Sequence, residues 1–322
     1  MEKLKRIEKA IKKFDNFLVA SHVNPEGDSL CSQLAVASLL RSLGKRVTIY
    51  NSDNVPRHLR FLPDSDLIRT KIDPKKTKFD CAIIVDCPNL RRTGKVESVA
   101  KNAGCVINID HHVSNEKFGD IDWVDKNASS AGEMIYRLYK SFKSRITKKV
   151  ALYLYIAILT DTGSFNYSNT SGSTHDIISE LMSYGVMPYD VSKSVYENKT
   201  IGGLRLLGRA LSNIRLVAGG KIAYTFICKR DFRETKAEIT DCENFVNFAR
   251  SIEGVYAAVF FRDDTRGKNS IHVSLRSKKK VDVNKVASHF GGGGHAQASG
   301  CVLEGSLEEV RDKVLKRVQD EL

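Results

Sequence analysis

No apolar run in this 322-residue chain is long enough to cross a bilayer. The longest, Ala151 to Leu159, falls far short of the ~20 residues that a transmembrane helix needs. The basic N-terminus, Met1-Glu2-Lys3-Leu4-Lys5-Arg6-Ile7, lacks the apolar core of a signal peptide. Leu4, Ile7, Ile11 and Phe14 instead fall at helical spacing and predict an amphipathic first helix packed on its domain. Cysteine is scarce and unpatterned. The seven cysteines are odd in number and form no Cys-x-x-Cys pair, which excludes a zinc ribbon, argues against a disulfide framework and fits a reducing cytoplasm. No internal repeat is visible, and the only low-complexity segment is the four glycines at 291–294. These glycines match neither a Rossmann fingerprint nor a P-loop, since no Gly-Lys-Ser/Thr follows them.

The chain does have enough apolar material, 42%, for real cores in two domains of ordinary size, which excludes general disorder. Its 51 Lys and Arg outnumber 38 Asp and Glu, for a net charge of +13. The excess is spread over both halves, and such a field favours anionic partners without identifying one.

Short β-rich runs alternate with helical patterns through the first half, predicting a parallel sheet with helices on both faces. Strands are expected at Phe17–Ala20, Arg46–Tyr50, Cys81–Val85 and Cys105–Ile109, with a helix from Ser29 to Leu43 stopped by Gly44. Further helices are expected at Ala131–Phe142, Lys149–Leu159 and Thr174–Tyr184. After Gly219-Gly220 the pattern becomes that of a smaller α+β domain. Its strands are expected at Ile222–Cys228, Val255–Phe261 and Ser270–Leu275, and its helices near Cys242–Arg250, Val283–Phe290 and Leu307–Gln319. The domains are therefore read as 1–186 and 216–322, joined by a helical linker at 187–215.

Ligands of open α/β sheets bind beyond the carboxyl ends of the strands. There the sequence delivers His22 with Glu26 and Asp28, then Asp86, then Asp110-His111-His112, and Asp161 follows the helix that ends at Leu159. Any one of these residues reads equally well as a turn former or a helix cap. Together they gather imidazoles and carboxylates at one sheet edge, where like charges repel unless cations compensate them. A mixed imidazole and carboxylate set without thiolates suits Mn²⁺, Fe²⁺ or Zn²⁺, and its oxygen excess favours Mn²⁺. Two such cations can clamp the attacking and leaving oxygens of a displacement at phosphorus.

These residues resemble the four motifs of the DHH phosphoesterase family. The motifs are His22, Glu26 and Asp28; Asp86 with Arg92 and Gly94; Asp110-His111-His112; and Asp161-Thr162-Gly163. The second domain resembles the DHH-associated nucleic-acid-binding domain through Gly291-Gly292-Gly293-Gly294-His295, Ala298-Ser299-Gly300 and the upstream Ser274-Leu275-Arg276-Ser277. The compact two-domain size is similar to that of the NrnA-type nanoRNases and 3′-phosphoadenosine 5′-phosphate (pAp) phosphatases.

The resemblance implies two divalent cations, Mn²⁺ first, with Mg²⁺, Fe²⁺ or Zn²⁺ as alternatives. His22, Glu26 and Asp86 would hold one. Asp28, Asp86, His111 and Asp161 would hold the other, with Asp86 bridging and a shared hydroxide as nucleophile. His112 would contact phosphoryl oxygens and protonate the leaving group, while Asp110 would orient His111 or brace its loop. Arg262, Arg276, Gly292, Gly293, Gly294, His295 and Ser299 would bind the far phosphate of a short RNA or nucleotide. The implied reaction is hydrolysis of very short oligoribonucleotides to 5′-mononucleotides, removal of the 3′-phosphate of pAp, or both. A dinucleotide phosphodiesterase, an inorganic pyrophosphatase and a non-catalytic single-strand-binding module are the rivals, and a homodimer is left open.

This chain departs from the family pattern at Glu26, where Asp is usual, and at Cys31-Ser32, where Gly-Ser is common. Cys31 lies near a helix N-terminus, where its thiol could be activated or could simply pack. His58, His175, His272 and His289 fall outside the motifs, Lys278-Lys279-Lys280 reads as a solvated loop, and Tyr153 and Tyr155 read as core. Phe165 and Tyr167 are candidates for stacking on a base.

Overall fold

The computed structural model describes residues 2–73, 77–264, 269–278 and 280–322. It divides into two units, Met1–Asn198 and Lys199–Leu322. The division falls inside the 187–215 stretch read as a helical linker, which gives a helix to the first unit and a helix and a short strand to the second.

The first unit runs through α1 (Glu2–Lys13), β1 (Asn16–Ala20), α2 (Gly27–Ser42), β2 (Arg46–Tyr50), β3 (Ile68–Arg69), β4 (Cys81–Val85) and α3 (Val96–Lys101). It continues through β5 (Val106–Asp110), β6 (Ile121–Val124), α4 (Ala131–Ser141), α5 (Lys148–Asp161), α6 (Gly172–Ser183) and α7 (Pro188–Tyr196). Its sheet is parallel throughout, in the order β3-β2-β1-β4-β5-β6. The central strands are apolar on both faces because helices cover both. Phe17, Val19, Ile83 and Val85 pack with residues of α2, α4 and α5, while Leu18, Ala20, Ala82 and Ile84 pack with Val96 and Val99 of α3. Helix α1 buries Ile7 and Ile11, as its spacing predicts. The edge strands β3 and β6 carry no comparable signal in the sequence. They are short, and Ile121-Asp122-Trp123-Val124 lacks the apolar continuity of a strand buried on both faces.

The strand order reverses between β1 and β4, because the chain winds outward from β1 to β3 and then returns to β4. The crevice beyond the carboxyl ends at such a switch point is where open α/β sheets bind ligands.

The second unit holds α8 (Ile201–Ser212), β7 (Arg215–Val217), β8 (Ile222–Ile227), α9 (Lys229–Thr235), α10 (Phe245–Ser251) and β9 (Ala257–Asp263). It ends with β10 (Ser270–Ser277), α11 (Val283–His289), β11 (Gly293–His295), β12 (Ala298–Glu304) and α12 (Leu307–Gln319). Its sheet runs β11-β12-β10-β9-β8-β7, antiparallel except where β8 pairs with β9. Alternation divides the faces. Phe261, Val273 and Leu275 pack with α11 and α12, whereas Ala258 and Phe260 pack with α8 and α10. Strands β11 and β12 show in the sequence only as a glycine-rich motif, since glycine and serine carry little strand propensity.

Candidate metal centre

The elements of the switch region deliver the groups of the site. β1 leads to His22, β4 to Asp86, and β5 to Asp110, His111 and His112. The first turn of α2 supplies Asp28 and the last residue of α5 supplies Asp161. Asp86 adopts a left-handed backbone with φ of 51°, held by its N–H donating to the Ile109 carbonyl at 2.9 Å. That conformation costs a non-glycine residue on the order of 1 kcal/mol, strain of a kind that persists at functional sites.

Asp86 stands between two imidazoles. Its Oδ2 lies 3.5 Å from His22 Nε2 and its Oδ1 lies 3.6 Å from His111 Nε2. His111 Nε2 is also 3.5 Å from Asp161 Oδ2 and 3.9 Å from Asp28 Oδ2. Ligands bound ~2.0–2.2 Å from one cation stand roughly 3–3.6 Å from each other, so these spacings fit a cation-binding cluster better than a set of ordinary hydrogen bonds.

The tautomers agree with that reading. His22 Nδ1 donates to the Val23 carbonyl at 2.7 Å, and His111 Nδ1 faces the Ala128 carbonyl at 3.3 Å. Each ring thus turns Nε2 toward the carboxylates, the nitrogen that a cation would take in place of a proton, as in metal-ligating histidines.

The electrostatics are those of a site built for positive charge. Burial, reinforced by the carboxylates of Asp86 and Asp161, pushes Asp28 well above the usual carboxylate range. Burial also raises Asp161 to about 6, with Asp86 adding to the rise and His111 opposing it. Burial would raise Asp86 as well, but His111, His22 and His112 hold it well below its ordinary value. For His111, burial alone would lower the imidazole, yet Asp161, Asp86 and Asp28 override it and hold it well above its ordinary value.

His112 adjoins the same cluster, with its Nδ1 3.6 Å from Asp86 Oδ1, but its closest partner is Asp110. The same Nδ1 lies 2.7 Å from Asp110 Oδ1, and Asp110 Oδ2 accepts the Asn115 amide at 2.6 Å. Of the two roles expected of Asp110, it braces the loop, through Asn115, and the ring it orients is His112 where His111 was the expectation. Sequence reasoning misses Asn115, because its contact depends on how the loop after β5 closes.

Other motif residues build the frame. Arg92 takes the Val23 N–H on its carbonyl at 2.7 Å, and Gly94 packs against Val23 and Ser52, so the second motif clasps the loop of the first. Gly163, with φ of 56°, lies against the Tyr167 ring, and Phe165 packs on His175 with ring centroids 5.3 Å apart. Glu26 is exposed at the N-cap of α2, where its N–H donates to Ser29 Oγ at 2.8 Å, and its charge is among those that raise Asp161. Cys31 is fully buried, and burial holds its thiol well above the ordinary value, so it packs and is not activated. Tyr153 and Tyr155 are buried, as predicted.

In the second unit, register places several predicted residues on one sheet face. Arg276 pairs with Ala298, which pairs with His295, and Arg262 pairs with His272 on the same face. Arg276 Nε is buried with no hydrogen-bond partner. Ser299 points the other way, is 6% exposed and donates its hydroxyl to the His295 carbonyl at 2.7 Å, which makes it a brace of the β11–β12 hairpin. Gly292 and Gly294 meet the opposite strand so closely that a Cβ at either would collide with backbone. His272 pairs with Asp264 at 3.2 Å. Lys279, in the middle of the lysine run, lies outside the described residues. A separate concavity of about 580 Å³ lies by the amino end of β5; of its charged lining, Arg91 pairs with Glu116, Lys101 pairs with Glu97, and Asp120 Oδ2 accepts the Val106 N–H at 2.8 Å.

Comparison with known proteins identifies the family. Residues 16–158 match the model of the DHH family, N-terminal domain, and residues 219–322 match that of the DHHA1 domain. A Thermus thermophilus protein named bifunctional oligoribonuclease and PAP phosphatase NrnA is 30% identical, over 100% of this chain and 95% of its own length. The chain belongs to the DHH family. A second DHH relative with the same name, from Bacillus subtilis, is 30% identical over 92% of this chain and 91% of its own. The crystal structure of an exopolyphosphatase-related protein from Bacteroides fragilis superposes with a TM-score of 0.89 at 30% identity, covering 99% of this chain and 96% of that one. Among the described residues, no helix is long and apolar enough to cross a membrane.

Proposed function

We propose that this DHH protein is a cytoplasmic phosphohydrolase that cleaves very short oligoribonucleotides to 5′-mononucleotides and removes the 3′-phosphate of pAp. The observation that carries the reading is the carboxylate of Asp86, whose two oxygens address different imidazoles, His22 and His111. That is what a carboxylate shared by two cations requires. The names of the Thermus and Bacillus relatives support the substrate class.

Two divalent cations, Mn²⁺ first given the oxygen-rich donor set, would supply charge neutralisation and a water acidic enough to attack phosphorus near neutral pH. Asp28, Asp86, His111 and Asp161 would hold one, and His22 and Asp86, with Glu26 at the rim, the other. The chain's own residues account for the rest of the chemistry. Asp110 fixes the His112 ring through Nδ1, so Nε2 is the nitrogen that can carry a proton to the leaving oxygen. Asn115 in turn fixes Asp110. In the second unit, Arg276, Arg262 and His295 would grip a further phosphate, with guanidinium groups suited to bidentate contact. The glycines at 292 and 294 serve the hairpin that presents His295.

The test is product formation by the purified protein with Mn²⁺ and a 5′-phosphorylated RNA dinucleotide, pAp, a cyclic dinucleotide or pyrophosphate, each with a chelated control. The reading predicts chelator-sensitive release of mononucleotides from the first two. Turnover of pyrophosphate alone would refute it.

A further inference from the structure

A stretch of chain outside every motif contacts the groups around His111 from three directions. It lies between β6 and α4 and into the first turn of α4, at residues 125–133. The Ala128 carbonyl faces His111 Nδ1 at 3.3 Å. The N–H groups of Ala131 and Gly132 donate to Asp28 Oδ2 and Oδ1 at 2.7 and 2.9 Å. The Ser129 carbonyl accepts Asn169 Nδ2 at 2.7 Å, and that nitrogen also reaches the Asp161 carbonyl at 3.2 Å and Asp161 Oδ2 at 3.5 Å. All three neighbours of the Asn169 nitrogen are acceptors, which fixes the amide with its NH₂ toward Asp161. Side chains from α2, from the end of β5 and from the end of α5 are thus registered against one short segment.

Glu133 fixes the segment. It is 1% exposed, and its Oε2 accepts both the N–H and the hydroxyl of Ser129, at 2.9 and 2.6 Å. Its Oε1 accepts from Arg137, whose other nitrogen reaches Asp125 Oδ2 at 2.7 Å. The Asp125 N–H donates to the Asp110 carbonyl at 3.0 Å, which ties the segment to the strand bearing the histidines. Helix α4 does not need this carboxylate as a cap, because Ser130 Oγ already accepts the Glu133 N–H at 3.1 Å. Burying a carboxylate is costly unless several donors meet it, and here the donors belong to the segment under the site.

We propose that Glu133 and Asn169 are positioning residues for the cation held by Asp28, His111 and Asp161. Glu133 sets Ser129, the Ser129 carbonyl sets Asn169, and Asn169 sets Asp161. This rests on the two-cation reading above. Partners that orient metal ligands typically change metal affinity by about 10–100-fold when removed.

The experiment uses the full chain, stripped by chelation and dialysed, then titrated with Mn²⁺ in a calorimeter, with melting of the metal-free protein measured alongside. Asn169→Ala and Glu133→Gln should each weaken Mn²⁺ at one of two sites by about 10–100-fold. The double variant should lose less than the product of the two, because both act along one chain of contacts. A purely structural role would lower the melting temperature and leave the affinity of the folded protein alone. A folded Asn169→Ala variant with the parent's Mn²⁺ isotherm would overturn the proposal, and it decides the matter even if Glu133→Gln fails to fold. A parent chain that binds no Mn²⁺ would overturn the two-cation reading itself, and this proposal with it.

Discussion

Replacing Asp161 by asparagine should stabilise the metal-free protein while destroying its activity. In the folded chain this carboxyl keeps its proton up to about pH 6, whereas its ordinary value is 3.8. Between those values the folded state binds more protons than the unfolded one, so stability falls as pH rises through the window. A rise of about two pH units corresponds to roughly 3 kcal/mol once the group is fully ionised. The attraction to His111 opposes this rise and is already contained in it. A carboxamide in place of this carboxyl would not ionise, has nearly the same shape and still offers an oxygen to Asn169. In chelator, Asp161→Asn and the parent should therefore melt together near pH 4. By pH 7.5 the variant should melt higher by on the order of 5–10 °C, since 1 kcal/mol moves a unit of this size by about 2–4 °C. Mn²⁺ at about 1,000 times its Kd should reverse the order, because it adds about 4.1 kcal/mol to the chain that binds it, more than the roughly 3 kcal/mol the variant gains. Scanning calorimetry at several pH values, with and without Mn²⁺, makes the comparison. If the variant melted below the parent at pH 7.5 in chelator, or the difference did not change with pH, the electrostatic account of the site would be wrong.

Removing the imidazole in His112→Ala should lower kcat by about 10²–10⁴ with KM little changed, and Asp110→Asn should follow in the same direction; steady-state kinetics with the RNA dinucleotide checks both. Gly294→Ala forces a side chain into a backbone with φ of 145° and against the Ala298 carbonyl. That strain, about 1–3 kcal/mol, should appear as a lower melting temperature and a KM raised at least tenfold. Glu26→Asp should shift the Mn²⁺ concentration for half-maximal rate while leaving kcat at saturation within about twofold, because Asp caps α2 as well as Glu does; an unchanged Mn²⁺ profile would remove Glu26 from the rim of the site.

The groups that carry charge toward the cations were legible because a parallel sheet delivers them in a simple way. His22, Asp86 and His111 each stand just beyond the end of an apolar strand, and the pattern of such strands is visible in sequence. The second unit's register was less legible. Arg276 and His295 share a face only because β12 lies between their strands, and a strand beginning Ala298-Ser299-Gly300 carries little signal of its own. The resemblance implies a phosphate contact for Ser299, and its pairing with Leu275 places it on the face opposite Arg276. Least legible were the residues that act through backbone. Ser129 matters through its carbonyl and Ala131 and Gly132 through their N–H groups, and no residue type advertises such a contact. Glu133 reads as an ordinary first-turn acidic residue. Asn169 lies in a loop whose path is set by three consecutive left-handed residues, Gly163, Ser164 and Phe165, and only Gly163 announces that conformation.

The phosphohydrolase reading stands or falls on whether Asp86 is shared by two cations. The experiment is to titrate the chelated protein with Mn²⁺ while following mononucleotide release from a 5′-phosphorylated RNA dinucleotide, in the parent and in Asp86→Ala. Parent activity should rise from nothing to a plateau as Mn²⁺ is added. Asp86→Ala should give no turnover at any Mn²⁺ concentration while still binding the nucleotide. Turnover in the chelated parent, or equal turnover in Asp86→Ala and parent, would mean that Asp86 does not bridge a pair of catalytic cations.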